Sequence, residues 1–124
     1  MNRWIAATFD EFGRGLGIEG LAPDDAGNLS LRIGPERRLG FHAADDAVVV
    51  LLAAPPGFGD ALAQKQRALS LCHLRHGWAM PVRAGRTSDG GLVFLVRIPA
   101  RQFLVPAIEQ AVDLLGRLLE QARG

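Results

Sequence analysis

Cys72, His73 and His76 are the soft metal ligands that stand closest together in the chain, and a spacing of four sets Cys72 and His76 on one face of a helix. A structural zinc ion wants four such ligands and a catalytic one wants three plus water, yet His42 is the only histidine left elsewhere. The cluster falls short of a metal centre; a helix that packs Cys72 inward, with the histidines at its end, accounts for it. As a nucleophile the same thiol would need exposure beside an oriented histidine base. On the apolar side of a helix it reads as inert. Ser30, Ser70 and Ser88 lie in no G-x-S-x-G setting.

Gly15-Leu16-Gly17-Ile18-Glu19-Gly20 matches G-x-G-x-x-G, the run that lets a helix N-terminus approach a pyrophosphate. Such a motif must follow a strand and open a helix. Here it follows a helical pattern and precedes Asp24-Asp25, so the glycines read as a helix end. Asp24-Asp25 and Asp45-Asp46 fall at turn positions, where aspartate bonds its own backbone. No catalytic residues, no cofactor and no metal are expected, and the chain reads as a protein that is not an enzyme.

The elements that carry these residues follow from hydropathy spacing. Trp4 or Ile5, Phe9, Phe12 and Leu16 recur every three to four residues, the pattern of an amphipathic helix that stops near Leu16 at the glycines. Leu29, Leu31 and Ile33 then alternate with Ser30 and Arg32, a half-buried strand entered through Ala26-Gly27-Asn28 and closed by Gly34-Pro35. Arg38 to His42 forms a shorter alternating run, and Val48 to Leu52 a central, β-branched one. Links this short predict an antiparallel meander. Asp60 can cap a second helix carrying Leu62, Ala63, Ala68, Leu69, Cys72 and His76, ended by Gly77. Trp78 to Val82 reads as an edge strand because of Pro81. Its partner is Leu92 to Ile98, across the Ser88-Asp89-Gly90-Gly91 turn. From Pro99 to Arg123 a third helix sets Leu104, Ile108, Ala111, Leu115, Leu118 and Ala122 on one stripe. The expected fold is α+β, in the order α-β-β-β-α-β-β-α: a twisted antiparallel sheet flanked by three helices.

With 124 residues the chain fits one domain, residues 1–124, and its 48% hydrophobic and 22% charged composition is that of a folded globule. The longest apolar run, Ala47 to Ala54, is far short of the roughly 20 residues that cross a bilayer, and the first twenty residues do not look like a secretory signal. A cytoplasmic protein with no membrane span is expected. One cysteine excludes an internal disulfide framework. Residues 1–60 carry 5 basic and 9 acidic groups, residues 61–124 carry 9 and 4, and arginine supplies 13 of the 14 basic groups. These arginines are scattered among acids and turns rather than gathered in a stripe with stacking aromatics, so no nucleic-acid partner is expected. What stands out is apolar surface. Trp4, Phe9, Phe12, Leu69, Trp78 and Met80, with Val112, Leu114 and Leu119 widening the last helix, exceed what five short strands can cover. That excess favours self-association or a bound peptide.

The order of elements, the size and the missing chemistry resemble the class I type III secretion chaperones of the Tir-chaperone group. The resemblance rests on the opening helix with Leu16-Gly17, on Gly27-Asn28-Leu29-Ser30-Leu31-Arg32-Ile33, and on the closing helix after Val93-Phe94-Leu95-Val96-Arg97-Ile98-Pro99. Trp4-Ile5, Met80-Pro81-Val82-Arg83-Ala84-Gly85, Leu92-Val93-Phe94, Gln110-Ala111, Leu115 and Arg117-Leu118 look most like the SycN-type members. What this implies is a bacterial chaperone that dimerises and holds the N-terminal segment of a secreted gatekeeper or effector soluble and secretion-competent. The subtype implies a heterodimer with a YscB-type chaperone and a YopN-type gatekeeper as cargo; class I chaperones in general imply a homodimer. By the same resemblance, cargo contacts are expected at Phe9, Phe12, Leu16, Leu39 and Phe41, and the dimer interface at Leu69, Cys72, His76, Trp78, Met80 and Val82. A generic dimeric α+β adaptor, or a small ligand- or metal-binding protein, is the alternative.

Overall fold

The computed structural model describes residues 2–55, 63–68 and 81–123. Helix α1 (Arg3–Gly15) begins where the Asn2 side chain accepts the Trp4 amide at 2.8 Å, satisfying one of the donors that a helix start leaves unpaired. It buries Ile5, Thr8, Phe9 and Phe12, so Ile5 rather than its neighbour Trp4 takes the inward position. The helix ends in a Schellman turn: Ile18 N–H donates to the Gly13 carbonyl at 2.8 Å and Gly17 N–H to the Arg14 carbonyl at 3.1 Å, with Gly17 at φ +79. The literal phosphate-loop string is thus a helix stop.

Strands β1 (Asn28–Ile33), β2 (Arg37–Ala43) and β3 (Ala47–Ala54) form the expected meander. Its entry is fixed by Asp24, whose carboxylate accepts the Ala26 and Asn28 amides, and by Gly27 at φ +85, where a Cβ would lie 2.4 Å from the Ala43 carbonyl oxygen. A hairpin through Thr87–Gly91 joins β4 (Val82–Arg86) to β5 (Leu92–Pro99). The sheet is antiparallel throughout, in the order β1-β2-β3-β5-β4. The run Val48 to Leu52 is central, as expected, and Pro81 stands just before an edge strand.

Two boundaries differ from expectation. The strand expected to end at Val82 runs on to Arg86, because the tight hairpin sets Arg86 opposite Leu92 and carries the register back to Val82 opposite Val96; residues 78–80 of that expectation lie outside the described residues. Pro99 closes β5 opposite Ala47 instead of opening the last helix. A 3-10 turn (Ala100–Gln102) then drops Phe103 into the core before helix α3 (Val105–Arg123) starts, leaving Leu104 55% exposed and off the buried stripe. Between β3 and β4 lies α2, described over residues 63–68; the Arg67 guanidinium donates to the Ala122 carbonyl of α3 at 2.9 Å. The order is α-β-β-β-α-β-β-α. Asp60, Leu62, Leu69, Cys72, His73, His76, Gly77, Trp78 and Met80 lie outside the described residues.

Helices α1 and α3 cover one face of the sheet. Ile5, Phe9, Phe41, Val50, Phe94, Phe103, Ile108, Leu115 and Leu118 are each no more than 2% exposed there, and Phe9 meets Phe41 edge-on at 5.2 Å and Phe103 at 5.0 Å. The buried Thr8 hydroxyl donates to the Phe103 carbonyl at 2.8 Å, tying α1 to the 3-10 turn. Leu114 and Leu119 join this core, and Val112 packs at its edge.

Candidate functional site

Three elements meet at the β1 edge without closing over it. The end of α1 supplies Phe12, Leu16 and Ile18, the outer strand supplies Leu31 and Ile33, and α3 supplies Val112; Leu39 of β2 lies at the floor. Together they border an open groove of about 620 Å³. Its shape follows from local sequence: the Schellman turn swings Leu16 and Ile18 outward after the last helical residue, and Gly34, at φ +65, ends β1 just past Ile33. Leu16 is 54% exposed, Ile18 38% and Ile33 37%, three large apolar side chains held in water on one rim. Arg32, Glu109 and Asp113 supply its polar border, Asp113 also pairing with Arg117 at 3.4 Å.

Beside the groove, β1 is the last strand of the sheet. Among the described residues nothing pairs with its outer side, so its outward N–H and C=O groups are available to an added strand. An extended segment laid on β1 projects alternate side chains toward Leu31, Ile33 and Ile18, and an apolar helix face fits between Leu16 and Val112. The arrangement can bind a chain; among the described residues that border it there is no Ser, Thr, Cys or His.

Phe12, Leu16 and Leu39 of the expected cargo residues border this groove, Leu16 exposed and the other two presenting only an edge. Phe9 and Phe41, at 0% and 2% exposure, stand behind them in the core, because strand alternation turns Phe41 under α1 and the helical spacing of α1 turns Phe9 onto the sheet. Ile18, Leu31, Ile33 and Val112 were missed; apolar Ile33 at the end of an edge strand, with Ile18 just past a glycine stop, was the available signal. Of the expected dimer residues, Val82 is the one described: it is 9% exposed, in edge strand β4 and opposite Val96. The other five lie outside the described residues.

A second, smaller hollow of about 350 Å³ lies at the other end of α1, bordered by Trp4, Leu104 and Phe103; Trp4 is 74% exposed. His42 is exposed, its Nδ1 2.8 Å from the Asn28 side-chain oxygen. Among the described residues no three His, Cys, Asp or Glu side chains gather as a metal site, and no helix is long and apolar enough to cross a membrane. Asp89, in the β4–β5 turn, has its pKa lowered because the Thr87 hydroxyl and the Gly91 amide donate to the carboxylate.

Residues 4–122 match the family model described as Type III secretory system chaperone SycN. No curated protein matches the chain. Among solved structures, a chain of the ExsC-ExsE complex superposes with a TM-score of 0.79 at 16% identity, over 99% of this chain and 95% of that one. A chain from the complex of the Yersinia pestis type III secretion chaperone SycH with a stable fragment of YscM2 gives 0.71 at 13% identity, over 94% and 98%. One from the ExoT-SpcS complex of Pseudomonas aeruginosa gives 0.66 at 21% identity, over 97% of each chain. At these identities the superpositions establish a shared α+β fold.

Proposed function

The chain belongs to the SycN family of type III secretion chaperones, a family of chaperones and not of enzymes, and from that premise we propose that it binds the N-terminal segment of a secreted gatekeeper protein in the β1 groove. The cargo segment stays unfolded there, soluble and ready for secretion, in the bacterial cytoplasm. The observation that carries this reading is the row Leu16, Ile18 and Ile33, exposed on a groove whose neighbouring strand has a free edge. Apolar side chains in water at a strand edge are a liability unless a partner covers them. One superposed structure is of the type III secretion chaperone SycH in complex with a stable fragment of YscM2, which supports a protein segment as the ligand.

The functional unit in this reading is a heterodimer with a YscB-type chaperone, its seam running along β4 at Val82 and through Leu69, Cys72, His76, Trp78 and Met80. Co-production with the YopN-type gatekeeper segment and the YscB-type subunit tests both parts. Wild type should keep the segment soluble in a complex whose light-scattering mass contains one copy of each chaperone. Leu16→Asp with Ile33→Asp should lower affinity for the segment at least tenfold while the chaperone pair stays intact. Unchanged affinity would move the cargo site away from the groove, and a homodimer that binds cargo without a second chaperone would replace the heterodimer.

A further inference from the structure

Strand β1 is open on one side, and the bonds around it show which of its groups are open. Ala43 N–H donates to the Gly27 carbonyl at 2.7 Å, and bonded pairs alternate along an antiparallel ladder, so Leu29, Leu31 and Ile33 turn their amides and carbonyls toward Phe41, Leu39 and Arg37 of β2. Asn28, Ser30 and Arg32 turn theirs outward. Those of Asn28 are taken: the Asp24 carboxylate accepts its amide, and the Asp24 amide donates to its carbonyl, both at 2.9 Å. The open edge narrows to Ser30 and Arg32, each with one amide and one carbonyl. The usual guards of an edge are missing, since Asn28–Ile33 holds no Lys or Pro and pairs with β2 in unbroken register, without a bulge. On the groove side of the same strand stand Leu29, Leu31 and Ile33, none of them fully buried.

We propose that a second copy of this chain caps this edge in the cargo-free chaperone, β1 against β1 about a twofold axis through Leu31, and that cargo and the second copy exclude one another. The exclusion rests on the cargo reading above; the pairing does not. What selects a second copy is that the strand is complementary to itself in one register. With Leu31 opposite Leu31, Ser30 faces Arg32 and Arg32 faces Ser30, so every open amide meets an open carbonyl. The same register sets Leu29 opposite Ile33, apolar against apolar along the whole groove side. A shift of two residues one way brings Arg32 onto Arg32, like charge on like charge. The other way brings Arg32 onto Asn28, whose groups Asp24 holds, and leaves Ile33 opposite Gly27. A shift of one residue faces open groups with groups already spent on β2 and turns the apolar rows to opposite faces. On the polar face, Arg32 borders a hollow with Arg38, Glu36 and Asp89, and its counterpart across the axis is the uncharged Ser30. Glu109 and Asp113, also on the groove border, belong to α3 and enter none of these strand pairs. An isologous pair of this kind is closed: once joined, neither β1 offers an edge, and the rims that carry Leu16, Ile18 and Ile33 are brought side by side.

The test is made on the co-produced chaperone pair without cargo. Light scattering from about 2 to about 200 µM should show the mass rise from one chaperone pair to two, and one equivalent of the gatekeeper's N-terminal segment should return it to a single pair with cargo. Ser30→Pro, which removes an outward amide that the sheet does not use, should stay a single pair at the highest concentration with an unchanged circular dichroism spectrum. Cross-linking reads the register. Under copper phenanthroline, and above the wild-type background from Cys72, Leu31→Cys should form a disulfide between copies at least tenfold faster than Leu29→Cys, whose two thiols the register keeps roughly 13 Å apart along the strands. The cargo segment should suppress it. A mass that stays at one pair throughout, with Leu31→Cys no faster than Leu29→Cys, overturns the proposal and leaves the cargo reading standing. Cross-linking that bound cargo does not suppress overturns the exclusion and takes cargo off β1. A segment that does not bind the pair at all overturns the cargo reading and the exclusion with it, while the mass and the cross-link still decide the pairing.

Discussion

The two faces of this sheet are built from alternate residues of the same strands, and they have opposite fates. On one, Val48, Val50 and Leu52 of β3 sit at 0–2% exposure under α1 and α3; on the other, Val49, Leu51 and Ala53 are half-buried among arginines. A strand with a single core face alternates apolar with polar residues, whereas Ala47–Ala54 is apolar at every position. The second set of apolar side chains has no use within the described part of the chain.

Substitutions can separate those fates. The largest effect is expected at Phe94, fully buried in β5: Phe94→Ala should cost about 3–5 kcal/mol in urea unfolding, by lost burial and a cavity left beneath the helices. A cost under about 1 kcal/mol would mean that the covered face is not the core. Gly27→Ala comes next, since positive φ and the Ala43 carbonyl both oppose a Cβ. It should lose roughly 1–3 kcal/mol through the meander's entry turn, and an unchanged melting temperature would show that the turn can be rebuilt. Leu51→Ser on the open face should cost less than about 1 kcal/mol, a surface-like value; a core-like loss would mean that this face is covered within the monomer.

The smallest effect belongs to Asp89. Its pKa is lowered in the fold, so its contribution is present above the ordinary carboxylate range and is lost as pH falls through the lowered value. Asp89→Asn should reduce stability at neutral pH and flatten the acid limb below about pH 4, leaving subunit affinity unchanged. A melting curve that keeps the wild-type pH dependence would remove Asp89 as its source.

The meander was legible in the sequence because Leu29, Leu31 and Ile33 alternate strictly and Asp24, Gly27 and Gly34 are turn chemistry. The first helix was legible from its three-to-four spacing, and its stop from Gly13 to Gly17. Strand β4 was legible as an edge partner of β5 but not in its reach to Arg86, since Arg83-Ala84-Gly85-Arg86 has little strand propensity and is held by the register that the hairpin imposes. Nor could Phe41 be told from a surface residue: alternation says which side a side chain faces, but not that α1 lies on that side. The groove was half legible. Leu16 carried its signal at a helix end, while Ile18, Ile33 and Val112, from three elements, meet only in the folded chain.

Cargo is proposed to occupy the β1 edge and its groove. Amide hydrogen exchange on the co-produced chaperone pair, with and without the gatekeeper's N-terminal segment, tests it most directly. Added slowing at residues 28–33 and 16–18, with β4 unchanged on cargo addition, is the predicted result. Slowing confined to residues 82–86, or none along β1, would contradict it.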